Sequence, residues 1–306
     1  MSIEIRNITK SYGDQKALND VSFKVNNGEI VGFLGPNGAG KSTLMKILTG
    51  FLNPDDGDVL INGLDIKDNL LEVRKTIGYL PENNPLYLDM YVKEYLQFVA
   101  GIYKLGRKSS TRIKEIIEIT GLQVEQNKRI GALSKGYKQR IGLAQALIHK
   151  PDVLILDEPT SGLDPNQIIE IRNLIKETGK HKTILLSTHI MQEVEAICER
   201  IVIINKGKIV ADDKPGNIQD IVEPGCQTIF IEFDKPVNEK ALSSIEYISK
   251  TVKINETSFI IQSNSEEDIR PVIFKFAVDK GLTVLSLQKK EKTLEEVFQK
   301  LTMNKY

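Results

Sequence analysis

The chain has 306 residues, 41% of them hydrophobic and 27% charged, a composition that is typical of a folded globular protein and excludes a largely disordered one. It contains 41 basic and 41 acidic residues. The zero net charge disfavours a protein that works on nucleic acid, because such proteins usually need a basic surplus for the phosphates.

The first predicted elements surround a glycine-rich turn. Alternating apolar and polar side chains at 3–8 and 21–25 predict two half-buried antiparallel strands. The apolar run at 29–35 predicts a buried strand, and a helix is predicted from Lys41 to Leu48. A strand, a tight glycine loop and a helix form the context that a phosphate-binding loop needs.

Strands and helices then alternate along the chain. In order, the predicted elements are helices within 92–120 and from 138 to 150, a strand at 153–157, a helix at 168–177, a strand at 183–188, a helix at 191–200 and a strand at 201–207. This alternation predicts a mostly parallel sheet covered by helices on both faces.

The pattern changes near Lys214, and a linker is predicted to end at residues 223–225. Beyond it the predicted order is strand, helix, strand, strand, helix, strand and a last helix, which favours a small α+β ferredoxin-like domain. The sequence thus predicts two domains, over residues 1–220 and 221–306.

Cysteine content and hydropathy indicate the cellular compartment of the protein. Cys198 and Cys226 are far apart, so free thiols are favoured over a disulfide framework or a metal site. The N-terminal segment lacks the apolar core of a signal peptide, and no apolar run approaches the ~18 residues of a membrane span. We expect a cytoplasmic protein that reaches a membrane only through another protein.

The glycine-rich turn satisfies the phosphate-loop pattern G-x-x-x-x-G-K-[ST]. Its backbone N–H groups can surround phosphate oxygens, the Lys41 ammonium can reach the β- and γ-phosphates, and the Ser42 hydroxyl can take one Mg²⁺ position. The alternative is a glycine turn with an incidental lysine. The expected nucleotide contacts are Gly35, Pro36, Asn37, Gly38, Ala39, Gly40, Lys41, Ser42 and Thr43.

Two adjacent carboxylates end the predicted strand at 153–157. Asp157 is a candidate for the Mg²⁺ shell, and Glu158 for orienting or deprotonating the attacking water. Taken alone, such a strand often only runs into a polar loop. Together with the phosphate loop it predicts a site that hydrolyses ATP.

Residues 1–220 resemble the nucleotide-binding domains of ABC (ATP-binding cassette) transporters, because further family motifs follow in the family's order. LSKGYKQR at 133–140 is similar to the family signature, usually LSGGQ, and SGLD at 161–164 matches the D-loop. His189 matches the switch histidine, and Tyr12 stands where the family stacks an aromatic ring on adenine.

The resemblance implies an α/β cassette with a parallel sheet core, antiparallel N-terminal strands and a helical subdomain. It also implies that two subunits pair head to tail, so that Ser134, Gly136 and the D-loop Asp164 serve nucleotide shared with the partner. Lys41, Glu158 and His189 are then the catalytic residues. Tyr12 as a plain surface residue and His189 as a structural histidine remain the alternatives, and His149 and His181 are expected to be solvated or capping.

Two motifs depart from the family pattern. Glu82 replaces the usual glutamine of the Q-loop; it keeps an oxygen for Mg²⁺ or its water but adds a negative charge beside the triphosphate. Lys135 and Tyr137 replace the third and fifth signature residues. The Lys135 side chain either adds positive charge for the phosphates or is only solvated. The expected metal ligands are therefore Ser42, Asp157 and Glu82.

Two further resemblances, to subgroups of the family, concern the membrane partner. The departures and the C-terminal extension resemble the subunits that serve ABC-2-type exporters, and the stretch LPENNPLYLDMYVKEYL also resembles gliding-motility ATP-binding subunits of Bacteroidetes. In the family, the region at 86–105 forms a groove for a coupling helix of the membrane subunit. Its aromatic residues suit either a docking surface or a subdomain core; they are Tyr87, Tyr91, Tyr95, Phe98 and Tyr103.

The resulting prediction is an ATP- and Mg²⁺-dependent ATPase, peripheral on the inner face of the membrane. Its expected partners are a second ATP-binding subunit, as homodimer or heterodimer, and a polytopic permease, without nucleic acid. A soluble ABC ATPase acting on ribosomes or DNA is the main alternative; a nucleotide-binding regulator and a P-loop kinase fit the motifs less well. The C-terminal domain shows no catalytic cluster, and we expect it to be regulatory or to stabilise the dimer.

Overall fold

The chain divides into two compact units in a computed structural model that describes residues 2–222, 227–265, 267–290 and 294–302. The units are Met1–Pro215 and Gly216–Tyr306. A helix, Pro215–Val222, occupies the place where a linker was predicted. Its sequence PGNIQDIV begins with proline at the first helical position, which suits a helix start better than a linker. The predicted linker end at 223–225 lies outside the described residues.

The first unit contains ten strands and seven α-helices among its described residues. The strands are β1 (Ile3–Tyr12), β2 (Gln15–Val25), β3 (Ile30–Leu34), β4 (Asp56–Ile61), β5 (Leu64–Asp65), β6 (Ile77–Leu80), β7 (Val153–Asp157), β8 (Thr183–Thr188), β9 (Arg200–Asn205) and β10 (Lys208–Asp213). The helices are α1 (Lys41–Leu48), α2 (Leu70–Thr76), α3 (Val92–Ile102), α4 (Ser109–Ile119), α5 (Lys135–Leu147), α6 (Pro165–Gly179) and α7 (Met191–Ile197).

A six-stranded sheet forms the centre of this unit, in the order β10-β9-β3-β8-β7-β6. All neighbours pair in parallel except β10 and β9. Every residue of β3, β7 and β8 is buried, as expected of parallel strands whose two faces are both covered. The predicted parallel sheet is confirmed, and the carboxyl ends of its strands meet at one edge.

A second, four-stranded antiparallel sheet has the order β2-β1-β4-β5. The register pairs Ile3 with Val25 on one side and with Ile61 on the other. Its apolar side chains join those of β3, α1 and the central sheet in one core. The predicted antiparallel N-terminal strands are confirmed, although both extend beyond the predicted segments.

Helices α3, α4 and α5 form the predicted helical subdomain. The apolar residues of α3 and α4 recur three and four apart, and each helix therefore buries one face, with Leu96 of α3 and Ile116 of α4 fully covered. None of the helices in the described ranges combines the length and the apolar character that a bilayer span requires.

The second unit has the predicted order βαββαβ with a terminal helix. Its described elements are α8 (Pro215–Val222), β11 (Gln227–Phe233), α9 (Glu239–Ser243), β12 (Ile248–Lys253), β13 (Ser258–Ser263), α10 (Arg270–Asp279), β14 (Val284–Lys290) and α11 (Leu294–Thr302). The sheet is fully antiparallel in the order β12-β13-β11-β14. This confirms the ferredoxin-like arrangement, with one face buried against Leu242 of α9 and Ile273 of α10.

Candidate functional site

The glycine-rich loop connects β3 to the first turn of α1 at the carboxyl edge of the central sheet. Gly38 and Gly40 have φ of 79° and 114°, conformations that side-chain-bearing residues rarely adopt. A Cβ atom on Gly40 would lie 2.4 Å from the carbonyl oxygen of Ala17. The loop therefore requires glycine at position 40 both for its backbone conformation and for its close approach to Ala17 of β2.

Lys41 is buried, and its ammonium points back into the curled loop. Its Nζ donates to the carbonyl oxygen of Gly35 at 2.7 Å and to that of Pro36 at 3.3 Å. The same atom lies 3.5 Å from Oε1 of Glu158. Lys41 is thus the positive charge inside the loop, beside the catalytic carboxylate that the sequence predicted.

Asp157 ends β7 and is almost fully buried beneath the loop. Its Oδ1 accepts hydrogen bonds from the hydroxyl of Ser187, at 2.5 Å, and from that of Ser42, at 3.3 Å. Ser187 lies directly opposite Asp157 in the β7–β8 register, which explains how two residues distant in sequence meet. The sequence analysis missed Ser187; a small polar residue near the end of an apolar strand is the only signal that could have identified it.

Glu158 follows β7 in a left-handed backbone conformation, with φ of 49°. Its N–H donates to the carbonyl oxygen of Ser187 at 3.1 Å. Its buried carboxylate lies 2.9 Å from Nδ1 of His189, whose ring is partly exposed. The two residues, 31 positions apart, therefore form one hydrogen-bonded pair at the sheet edge.

A cavity of about 560 Å³ opens above these groups. The predicted residues that line it are Tyr12, Asn37, Gly38, Gly40, Lys41, Ser42, Thr43, Glu82, Glu158 and His189. Gln15, Ala17 and Ser161 line it as well and were not predicted. One concave site thus unites the phosphate loop, the exposed ring of Tyr12 and the titratable side chains of Glu82, Glu158 and His189, an arrangement suited to binding a nucleotide.

The remaining residues of the phosphate loop, Gly35, Pro36 and Ala39, do not line the cavity. Gly35 and Pro36 present their carbonyl oxygens to Lys41. The N–H of Ala39 donates to the carbonyl oxygen of Pro36 at 3.1 Å, which closes a turn. These residues shape the loop around the lysine.

The signature and the D-loop lie next to each other; Ser161 of the D-loop lines this cavity, whereas the predicted contacts Ser134, Gly136 and Asp164 do not. The Ser134 hydroxyl caps α5 by accepting from the N–H of Tyr137, and Asp164 caps α6 by accepting from the N–H of Gln167 at 2.9 Å. Ser134 and Asp164 are exposed. Gly136 is buried so closely against Gln167 that a Cβ atom would lie 2.5 Å from its side chain.

The oxygen atoms near the phosphate loop suit a hard divalent cation. The Ser42 hydroxyl and the Asp157 carboxylate are already hydrogen-bonded, and Glu82 lines the same cavity from an exposed position. Within the part of the chain that the structure describes, no group of three His, Cys, Asp or Glu residues could hold a metal alone. Mg²⁺ needs no such group, since it commonly takes one or two protein oxygens plus phosphate oxygens and water.

A groove of about 430 Å³ lies beside the Glu82 loop, bordered by Phe51, Tyr79 and Tyr103 among others. The Phe51 ring is exposed and packs against Tyr79, with ring centroids 5.8 Å apart. The aromatic residues of the region at 86–105 have different environments: Tyr87, Tyr91 and Phe98 are exposed, Tyr95 is buried and Tyr103 is half-buried. Tyr95 therefore belongs to the core of the subdomain, and the docking surface stays a prediction for the exposed rings.

His149 differs from its predicted solvated or capping state. Its ring stacks on Tyr103 with centroids 3.9 Å apart, and Nε2 lies 3.0 Å from the carbonyl oxygen of Ile77. Burial lowers the pKa of His149 to about 4. The physical reason is the packing of α3 over the end of α5, which local sequence does not encode. His181 is exposed, as predicted.

Comparison with known proteins adds to this geometry. A family model described as "ABC transporter" matches residues 18–161. The chain is 37% identical to the uncharacterized ABC transporter ATP-binding protein YxlF of Bacillus subtilis, over 98% of this chain and 99% of that protein. It is 35% identical to the bacitracin transport ATP-binding protein BcrA of Bacillus licheniformis, over 98% and 96%, and 35% identical to the Nod factor export ATP-binding protein I of Rhizobium meliloti, over 99% and 88%.

Solved structures resemble the first unit. An ATP-binding subunit of an ABC transporter superposes with a TM-score of 0.66 at 32% identity, covering 72% of this chain and 93% of that one. A dimeric ATP-binding cassette in a post-hydrolysis state, bound to ADP and Pi, superposes with a TM-score of 0.64 at 27% identity, covering 69% and 98%.

Proposed function

This chain belongs to the ATP-binding subunits of ABC transporters and is an ATPase, and from that premise we propose that it drives export through a separate membrane permease. The relative named for Nod factor export supports the export direction, and the relative named for bacitracin transport supports a transport function; both are similar over nearly the whole chain. Since each of these relatives matches at least 98% of this chain, the similarity includes the second unit.

The observation that carries the proposal is the meeting of Lys41, Glu158 and His189 at one cavity. We assign the β- and γ-phosphates to the loop and Lys41, whose ammonium would exchange loop carbonyls for phosphate oxygens. Tyr12 is exposed at the rim, where its ring can stack on adenine. The contacts proposed for Asn37, Gly38, Gly40, Ser42 and Thr43 rest on their position in the cavity lining, and those for Gly35, Pro36 and Ala39 rest on the loop motif alone.

Glu158 orients or deprotonates the water that attacks the γ-phosphorus in line. Its carboxylate is largely buried and bonded to His189, which fixes its orientation where it lines the cavity. His189 is partly exposed on the cavity side and contacts the γ-phosphate in this proposal. Lys41 stabilises the charge that develops on the transferred phosphoryl group.

Ser42, Asp157 and Glu82 are the residues that would hold Mg²⁺, since their oxygens are the ligand type the ion prefers. When bound, the ion neutralises charge on the β- and γ-phosphate oxygens. Glu82 keeps a ligand oxygen where the family usually has an amide, and its exposed position lets it keep water around its charge.

Ser134, Gly136 and Asp164 serve the site of a second subunit in this proposal. They lie outside the cavity of their own chain, and Ser134 stands at the N-terminus of a 13-residue helix, which favours anionic groups. ATP then closes a head-to-tail dimer and hydrolysis opens it.

The groove bordered by Phe51 and Tyr79 is the proposed contact for the permease. Exposed aromatic side chains with a nearby cation are typical of protein interfaces, and Arg74 lies 5.5 Å from the Phe51 ring centre. The subunit is then peripheral on the inner face of the membrane. The resemblance to gliding-motility subunits stays a prediction.

An affinity capture from native membranes tests the proposal. Tagged Glu158→Gln protein is incubated with Mg-ATP, and the co-purifying proteins are identified by mass. A polytopic membrane protein in near-stoichiometric amount is the expected result. Ribosomal or DNA-associated partners without a membrane protein would leave the ATPase standing and remove the transporter function.

Two surface variants make the capture specific. Phe51→Glu places a charge in the groove and should abolish capture of the permease. Val124→Glu changes another exposed apolar residue, outside the groove lining, and should not. Equal capture by both variants would move the permease contact elsewhere.

A further inference from the structure

Glu193 is a buried carboxylate that the assignments above leave unexplained. It lies in the first turn of α7 and is 1% exposed. Carboxylates are rarely buried so completely unless their oxygens have partners. It lies outside the lining of the nucleotide cavity and matches none of the sequence motifs described above.

Both oxygens of Glu193 accept hydrogen bonds from buried threonine hydroxyls. Oε1 accepts from Thr160, and Oε2 accepts from Thr188 at 2.8 Å. Thr160 belongs to the loop after β7, whereas Thr188 is the last residue of β8. The carboxylate therefore joins two segments that are separate in sequence.

Each of these segments also carries a proposed catalytic residue. Thr160 follows Glu158 by two positions, and Thr188 directly precedes His189. The Thr188 hydroxyl also accepts from the N–H of Ile190 at 3.1 Å. His189 thus lies between Thr188, which is bonded directly to Glu193, and Ile190, which is bonded to the Thr188 hydroxyl.

We propose that Glu193 is a positioning residue for ATP hydrolysis: it keeps the Glu158 segment and the His189 segment in register through Thr160 and Thr188. The proposal rests on the roles assigned above to Glu158 and His189. It adds a residue that touches neither nucleotide nor water and acts through the two loops.

The physical argument concerns the His189 side chain, which is exposed and is bonded to Glu158 through Nδ1. Such a side chain keeps its place only if its backbone is fixed. Without the Glu193 carboxylate, two buried hydroxyls lose their acceptor and the segments can separate. A displacement of about 1 Å at a reacting centre can cost about 100-fold in rate.

The test compares Glu193→Ala with Glu193→Gln and with Glu195→Ala, which removes an exposed carboxylate from the same helix. Glutamine keeps one acceptor oxygen and offers an N–H to the other threonine. We expect Glu193→Ala to lower kcat by about 10- to 100-fold, with KM for ATP changed by less than about threefold. Glu193→Gln should recover most of the rate, and Glu195→Ala should match the parent protein.

A spectroscopic measurement separates positioning from general destabilisation. The chain has three histidines, so the imidazole NMR signals can be assigned with a His189→Ala variant. We expect the His189 signals to shift in Glu193→Ala and those of His149 and His181 to stay. If Glu193→Ala does not fold, Thr188→Val removes one of the two bonds, that to Oε2, at nearly constant volume and should shift the same His189 signals and lower kcat.

Several results would overturn the proposal. An unchanged kcat per folded molecule, a rise in KM alone, unmoved His189 signals, or a glutamine variant as slow as the alanine variant would each do so. The failure of the catalytic assignment looks different: normal turnover in both Glu158→Gln and His189→Ala removes those roles, whatever Glu193→Ala does.

Discussion

Glu158 shows how a single residue is held for its proposed role. A left-handed conformation at a residue other than glycine costs about 1–2 kcal/mol. The Glu158 N–H donates to two oxygen atoms of Ser187, the carbonyl oxygen at 3.1 Å and the hydroxyl at 3.2 Å, and these bonds help to offset that cost. In this conformation the Glu158 carboxylate lies against Lys41 and His189 and lines the cavity.

Replacing Glu158 with glutamine should keep ATP binding and reduce turnover by at least about 100-fold, because the amide cannot accept a proton from water. The closed dimer should accumulate in Mg-ATP. Steady-state phosphate release, equilibrium ATP titration and sedimentation measure the three effects.

Glu177→Gln is the matched control for that substitution, since Glu177 is exposed and pairs with Lys180, the residue that follows α6. It should leave all three readouts unchanged. Normal turnover in the Glu158→Gln protein would remove Glu158 from the mechanism.

His149 should make stability depend on pH. Burial, with smaller contributions from the charges of Lys182 and Arg112, lowers its folded-state pKa from 6.5 to about 4. Between these values the unfolded chain binds the proton and the folded chain does not, so this contribution to stability is complete above pH 6.5 and is lost as the pH falls toward 4.

The measurement is the free energy of unfolding by denaturant between pH 7 and pH 4. His149→Gln can keep a donor for the Ile77 carbonyl without titrating, so its stability should fall less over this window. His181→Gln, at an exposed histidine, should keep the parent's pH dependence. Equal slopes for all three proteins would contradict the assigned pKa.

At the scale of the element, α5 links the signature to the helical subdomain. Ser134 caps its N-terminus. At the other end the Arg112 guanidinium donates to the carbonyl oxygens of Leu147 and Ile148, and Nη1 lies 2.8 Å from Glu115. A buried cation thus satisfies carbonyls that the end of a helix leaves free and complements the helix dipole.

Arg112→Ala should lower the free energy of unfolding by about 2–3 kcal/mol, because it leaves two buried carbonyl oxygens without their charged donor. Denaturant unfolding gives the value directly. Arg107→Ala, at an exposed arginine in the turn before α4, is the control and should change stability by less than about 0.5 kcal/mol. A loss in Arg112→Ala as small as that of the control would show that water replaces the guanidinium.

At the scale of the whole molecule, the two units have separate hydrophobic cores. The core of the first includes side chains from both of its sheets and α1. The second has its own core beneath an antiparallel sheet, with Phe233 and Phe259 in edge contact at 6.4 Å between ring centroids. A unit with its own core and a complete sheet meets the requirements for folding alone.

The fragment Gly216–Tyr306 should therefore unfold cooperatively, with a free energy on the order of 5 kcal/mol for its size. Circular dichroism in denaturant tests this. Phe233→Ala should remove about 3–5 kcal/mol and leave the fragment largely unfolded, whereas Lys250→Ala, at an exposed strand position, should not. A broad, non-cooperative transition in the unmodified fragment would show that it needs the cassette.

The phosphate loop, the parallel sheet and the βαββαβ order of the second unit could all be predicted from the amino-acid sequence. These follow from local patterns: glycine spacing, apolar periodicity and the alternation of strands with helices. Short elements escaped this reasoning. The strand Asp56–Ile61 begins with DGD, which locally resembles a turn, and only its pairing with β1 makes it a strand.

Only the tertiary structure decided which side chains meet. Ser187 reaches Asp157 through strand register, and Glu193 reaches Thr160 and Thr188 through the packing of α7. Burial could not be predicted from the sequence either: Tyr95 is covered, whereas the rings of Tyr91 and Phe98 on either side of it in the chain are exposed. The physical reason is that a local pattern fixes the direction of a side chain from its element, whereas its partners depend on the elements that fold against it.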